Sequence, residues 1–135
     1  MTIGKSLRTV PGFDSDSRKK VPKGMSIPRP AFPTEDKFVK EAITYVEENF
    51  PDNYGSLHEF RYATSHSEAE KWMDEFFRTC FDKFGHYEDA IVKEEAILFH
   101  SVLTPYLNTG LLTPQQVLHA ALEAGEKYQI PVNSL

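Results

Sequence analysis

Residues 65–85, SHSEAEKWMDEFFRTCFDKFG, decide the fold. Ser65 followed three residues later by Glu68 is a capping-box pattern, in which side chains satisfy the free donors of a helix's first turn. Ala69, Trp72, Met73, Phe76, Phe77, Cys80 and Phe84 then recur at spacings of three and four, so one face of the helix is apolar along its length. Glu68, Glu70, Lys71, Asp74, Glu75 and Arg78 cover the rest. Gly85, free to adopt the left-handed conformation that closes helices, is the expected stop. The stripe reads as core and not as an electron relay, and a thiol inside it, Cys80, as inert.

Working outward, Thr34 with Glu35 and Asp36 predicts the start of an earlier helix. Phe38, Ala42, Tyr45 and Val46 form its apolar face, and the turn sequence Pro51-Asp52-Asn53-Tyr54-Gly55 ends it near Phe50. Downstream, Ala90 to Phe99 is expected to be partly helical. Thr104-Pro105 opens a short helix closed by Asn108-Thr109-Gly110. Thr113-Pro114-Gln115-Gln116 opens another, with Val117, Leu118, Ala121 and Leu122 as its buried face. No segment longer than four residues alternates with the period of a strand. The fold class is all-α.

Of the 135 residues, 40% are hydrophobic and 13% aromatic, which excludes a wholly disordered chain. No apolar run reaches the roughly 18 residues of a membrane helix, and no secretory leader pattern opens the sequence. No membrane association is expected. The single cysteine excludes an internal disulfide and a metal centre built mainly from thiolates, so the expected compartment is the cytoplasm. His58, His66, His86, His100 and His119 show neither an i, i+4 pair nor an HExxH spacing, so no metal site is assigned. Glu88-Asp89 and Glu94-Glu95 read as solvated charges, and no catalytic residue is assigned.

Net charge is −5, unevenly spread. Residues 1–33 hold seven basic and two acidic residues, while 34–135 hold eight basic and eighteen acidic. Five of the nine prolines also fall in 1–33, where they remove backbone donors and fix φ. This stretch reads as an extended basic linker or arm, separable from the body that starts at residue 34. The acidic body is unsuited to be a main nucleic-acid surface.

Leu98 to Pro114 reads LFHSVLTPYLNTGLLTP. It resembles the flavin-binding motif of the photolyase–cryptochrome family, commonly TSxLSPYLxxGxLSP. Ser101, Leu103, Pro105, Tyr106, Leu107, Gly110, Leu112 and Pro114 match it, and Thr104 and Thr113 keep the hydroxyl where serine is usual. His100 departs from the usual threonine. FGHYEDA at 84–90 and FDSDSRKKVPKG at 13–24 resemble the bacterial iron–sulfur cryptochrome and photolyase branch.

The resemblance implies that residues 34–135 are the N-terminal part of a helical FAD-binding domain. Residues 1–33 would be the linker that follows an α/β antenna domain. It implies FAD as cofactor of a longer parent protein, damaged DNA as that parent's partner, and an iron–sulfur cluster whose ligands lie outside this chain. The fragment alone is expected to be inactive. His100, Ser101, Val102, Leu103 and Thr104 fall on the family's phosphate-contact run, and Tyr87 on its flavin-contact tyrosine. Spacing alone favours reading Ser101 and Thr104 as ordinary helix caps, and it is the resemblance that lifts the flavin reading. The parent's activity would be blue-light repair of a lesion such as a (6-4) photoproduct, or photoreception. The alternative is a small helical protein-interaction module without flavin, with Phe76, Phe77 and Phe84 on an exposed groove. A missing complementary segment or self-association of the domain is a further expected partner.

Overall fold

The computed structural model describes residues 19–135. The first eighteen residues of the arm, including the first half of the 13–24 motif, lie outside them. Among the described residues five α-helices follow one another: α1 (Lys37–Asn49), α2 (His66–Thr79), α3 (Phe81–Tyr87), α4 (Thr104–Thr109) and α5 (Pro114–Tyr128). A 3-10 turn at Val132–Ser134 closes the chain. There is no strand among the described residues, so the architecture is all-α.

α2 is the centre. Trp72, Met73, Phe76 and Phe77 are all buried, joined by Phe81, Leu98, Phe99, Tyr106 and Leu112 in one cluster. Phe76, Phe77, Phe81 and Phe84 meet edge-on or tilted, the arrangements that aromatic quadrupoles favour. Burial of Phe76 and Phe77 closes the groove expected for an interaction module. Ser65 accepts the Glu68 N–H as predicted, but Glu68 returns to the Ser65 hydroxyl rather than to its backbone.

The expected single helix is broken at Cys80, which ends α2 and precedes α3. Thr79 Oγ1 donates to the Glu75 carbonyl at 2.7 Å, a back-bond of the kind that bends helices. Gly85 is not the stop. It lies inside α3, where a Cβ would strike the backbone of Asn133 and sit 2.7 Å from Ser134 N. Its N–H donates to Ser134 Oγ at 2.9 Å, and Asn133 Nδ2 donates to His86 Nδ1 at 3.0 Å. The glycine therefore lets the 3-10 turn dock on α3.

Asp36, not Thr34, caps α1. Its Oδ1 accepts the Val39 N–H at 2.9 Å and its Oδ2 the Thr64 hydroxyl at 2.7 Å. One carboxylate thus both caps α1 and ties it to the lead-in of α2. The face predicted for α1 is not covered: Phe38 is 64% and Tyr45 59% exposed, and only Val39 is buried. α5 has the predicted capping box in full. It packs on α2 through Ala124, with Val117, Ala120 and Ala121 half-buried, because small side chains allow close approach. Leu118, expected inside, is 61% exposed.

Residues 90–99 form turns and no helix, with Glu94 and Leu98 in the left-handed region. Gly110 closes α4 in the left-handed conformation, as predicted. Val21, Met25 and Ile27 pack against the core, and Lys19 N–H donates to the His86 carbonyl. The latter part of the arm is thus laid on the body, which its proline content did not indicate.

Candidate phosphate-binding loop

The run His100–Thr104 leaves the core and leads into α4. Leu98, Phe99 and Leu103 are buried, so the loop is pinned on both sides by apolar side chains. It is pinned in the middle by Trp72, whose indole N–H donates to the Ser101 carbonyl at 2.8 Å. Trp72 is itself held against Phe32 and Tyr106. Tyr106 is 1% exposed, and its hydroxyl accepts the Ala63 N–H at 3.3 Å. Burial pushes its phenol pKa upward. His66 Nδ1, as an N–H, donates to the Leu111 carbonyl at 2.9 Å, tying the start of α2 to the end of the same segment.

Between these anchors Val102 has φ 51°. A β-branched residue seldom adopts that left-handed backbone, and such outliers gather at functional sites. The amides of Ser101, Val102, Leu103 and Thr104 meet no acceptor among the described residues, and Pro105 has no N–H. The α4 N-cap position falls on Leu103, with no side-chain cap bond. Neither the Ser101 nor the Thr104 hydroxyl caps the helix. That is where the spacing-based alternative departs from the geometry: the helix begins at Thr104 itself, so Thr104 stands at the first helical position and not at the N-cap that its hydroxyl would have to occupy.

His100 is exposed, and its imidazole has no hydrogen-bond partner among the described residues. Leu103 points into the core, so it can offer a ligand only its backbone. Tyr87, thirteen residues before His100 in sequence, ends α3 with its ring 5.4 Å from that of Phe99. The fold thus brings Tyr87 to the base of the run. Its hydroxyl has no hydrogen-bond partner among the described residues yet is not sealed from solvent. The cleft that His100 and Ser101 line with Trp72, Thr79 and Cys80 has a volume of about 20 Å³, room for one water. Burial raises the Cys80 pKa, so its thiol stays protonated. Among the described residues, no cluster of three or more His, Cys, Asp or Glu could hold a metal ion.

Trp72 is the support of this loop that the sequence concealed. Its place in an apolar stripe announces burial, whereas its one polar atom reaches twenty-nine residues ahead to the loop.

The model of deoxyribodipyrimidine photo-lyase-related proteins matches residues 12–62. A (6-4) photolyase of Agrobacterium fabrum is 35% identical over 125 residues, a span covering 91% of this chain and therefore including Leu98–Pro114. The chain belongs to the photolyase-related family. It spans about a quarter, 24%, of the length of that photolyase. An uncharacterized protein of Acanthamoeba polyphaga mimivirus is 49% identical over 41 residues, 30% of this photolyase-related chain and 32% of the viral one. No helix among the described residues is long and apolar enough to cross a membrane.

Proposed function

We infer that this photolyase-related chain supplies part of the FAD pyrophosphate site of a light-driven flavoprotein. The observation that carries the reading is the run of four successive amides, Ser101 to Thr104, without acceptors among the described residues and accompanied by two uncapped hydroxyls. Phosphate oxygens are acceptors only, so neutral N–H and O–H donors are the chemistry they need. The strained Val102 and the Trp72 bond to Ser101 hold those donors in one conformation before any ligand arrives, which lowers the ordering cost of binding. α4 has only six residues, so the argument rests on individual donors and not on a long helix dipole.

The donor set fits a pyrophosphate. His100 adds a donor at the edge of the run, and Tyr87 lies at its base, where it can face the isoalloxazine end. When bound, FAD supplies light absorption and electron transfer. The residues here hold and orient it. Residues 1–33 act as the linker to this helical body. The activity of the complete protein is repair of a pyrimidine lesion, the (6-4) photoproduct first, or light signalling. The iron–sulfur cluster of the resembling branch would be held by residues outside this chain.

The test is reconstitution of the chain with the remaining sequence of the Agrobacterium photolyase, followed by a flavin absorption spectrum. Retention of FAD, lost when Ser101 and Thr104 are both alanine, supports the reading. Undiminished retention in the double variant overturns it.

A further inference from the structure

We propose that the exposed face of α1 docks a basic amphipathic helix. The proposal does not depend on the flavin reading. Phe38, Ala42 and Tyr45 lie at i, i+4 and i+7, the spacing by which one helix seats another. Both aromatic rings are more than half exposed. With Val46 they form the middle of an open, shallow patch that lies wholly on α1, where the small Ala42 leaves room for a large partner side chain.

The rim selects the partner. Glu41 and Glu48 flank the same patch, seven residues apart, hence two turns or about 10 Å. Neither has an ion-pair partner among the described residues. Lys37 lies over the Phe38 ring at 4.9 Å and does not line the patch. A helix covering the stripe must therefore bring Lys or Arg to two positions seven apart, beside an apolar seam. A second copy of this chain is the wrong occupant. Twofold antiparallel pairing sets like flanks together, so Glu41 and Glu48 would face their own counterparts, and like charges repel.

The probe is a synthetic helical peptide with leucines at i, i+4 and i+7 and lysines seven apart on one flank. Its control carries glutamates in place of the lysines. Each is titrated into the full chain by fluorescence anisotropy. The lysine peptide should bind and the glutamate peptide should not. E41K/E48K should weaken the lysine peptide about tenfold, as should raising the salt concentration. F38A/Y45A should abolish binding with the circular dichroism spectrum unchanged, since both rings are exposed. Equal binding of the two peptides, no binding, or indifference to E41K/E48K overturns the proposal. So does a dimer of the chain alone that F38A/Y45A dissolves, because the face would then belong to a second copy.

Discussion

The indole N–H of Trp72 donates to the main-chain carbonyl of Ser101 at 2.8 Å, joining the middle of α2 to the centre of the His100–Thr104 loop. One side chain thus serves the core with its rings and the loop with its single polar atom. The two contributions separate by substitution. Trp72→Phe keeps most of the ring contact and leaves the Ser101 carbonyl without its donor, at a cost of about 1–2 kcal/mol. Trp72→Ala also opens a cavity and should cost about 3–5 kcal/mol. Urea denaturation of both variants measures the difference.

Ser101→Ala and Thr104→Ala should be nearly silent in the isolated chain, within about 0.5 kcal/mol, because neither hydroxyl caps α4. Thr113→Ala, which removes an observed capping box, should cost about 1 kcal/mol in the same assay. In the reconstituted flavoprotein the order should reverse. Each of the first two variants loses about 1.5–3 kcal/mol of FAD retention per charge-assisted bond, and Thr113→Ala loses little. A large stability loss for Ser101→Ala in the isolated chain would contradict the described geometry.

Gly85→Ala places a methyl group against the Asn133 and Ser134 backbone. The 3-10 turn must move off α3, at about 1–3 kcal/mol. Hydrogen exchange should show faster loss of protection at Gly85 and Ser134 than at the centre of α2.

Asp36 has its carboxyl pKa held below the ordinary 3.8 by the Val39 N–H first and the Thr64 hydroxyl second. A lowered folded-state pKa contributes stability above pH 3.8 that is lost as pH falls through the folded value. The stability gap between wild type and Asp36→Asn should therefore be constant near neutrality and narrow below pH 3.8. Thermal melts of both proteins from pH 2 to 7 would show it. A gap that widens in acid would reverse the sign of the argument.

Met25→Ser and Ile27→Ser, both in the proline-rich arm, should together cost about 1–3 kcal/mol, because these side chains pack against the core. A cost near zero in chemical denaturation would return the arm to the status of a free tail.

The periodic stripe from Ala69 to Phe84 sufficed to name the class, the central helix and most of its buried residues. Burial follows from a face of α2 that has no other solution in water. The caps at Ser65 and Thr113 and the left-handed Gly110 were equally plain, because they satisfy donors and torsions within three or four residues of themselves. The motif at 98–114 carried the family, but only as a pattern of residue types. What each residue does there rests on contacts across the chain: Trp72 to Ser101, Tyr87 to Phe99, His66 to Leu111. Periodicity also could not tell which apolar faces find a partner. Phe38 and Tyr45 repeat as regularly as Phe76, yet α1 is left open while α2 is covered, because burial depends on what the rest of the chain can bring to a face and not on the face alone.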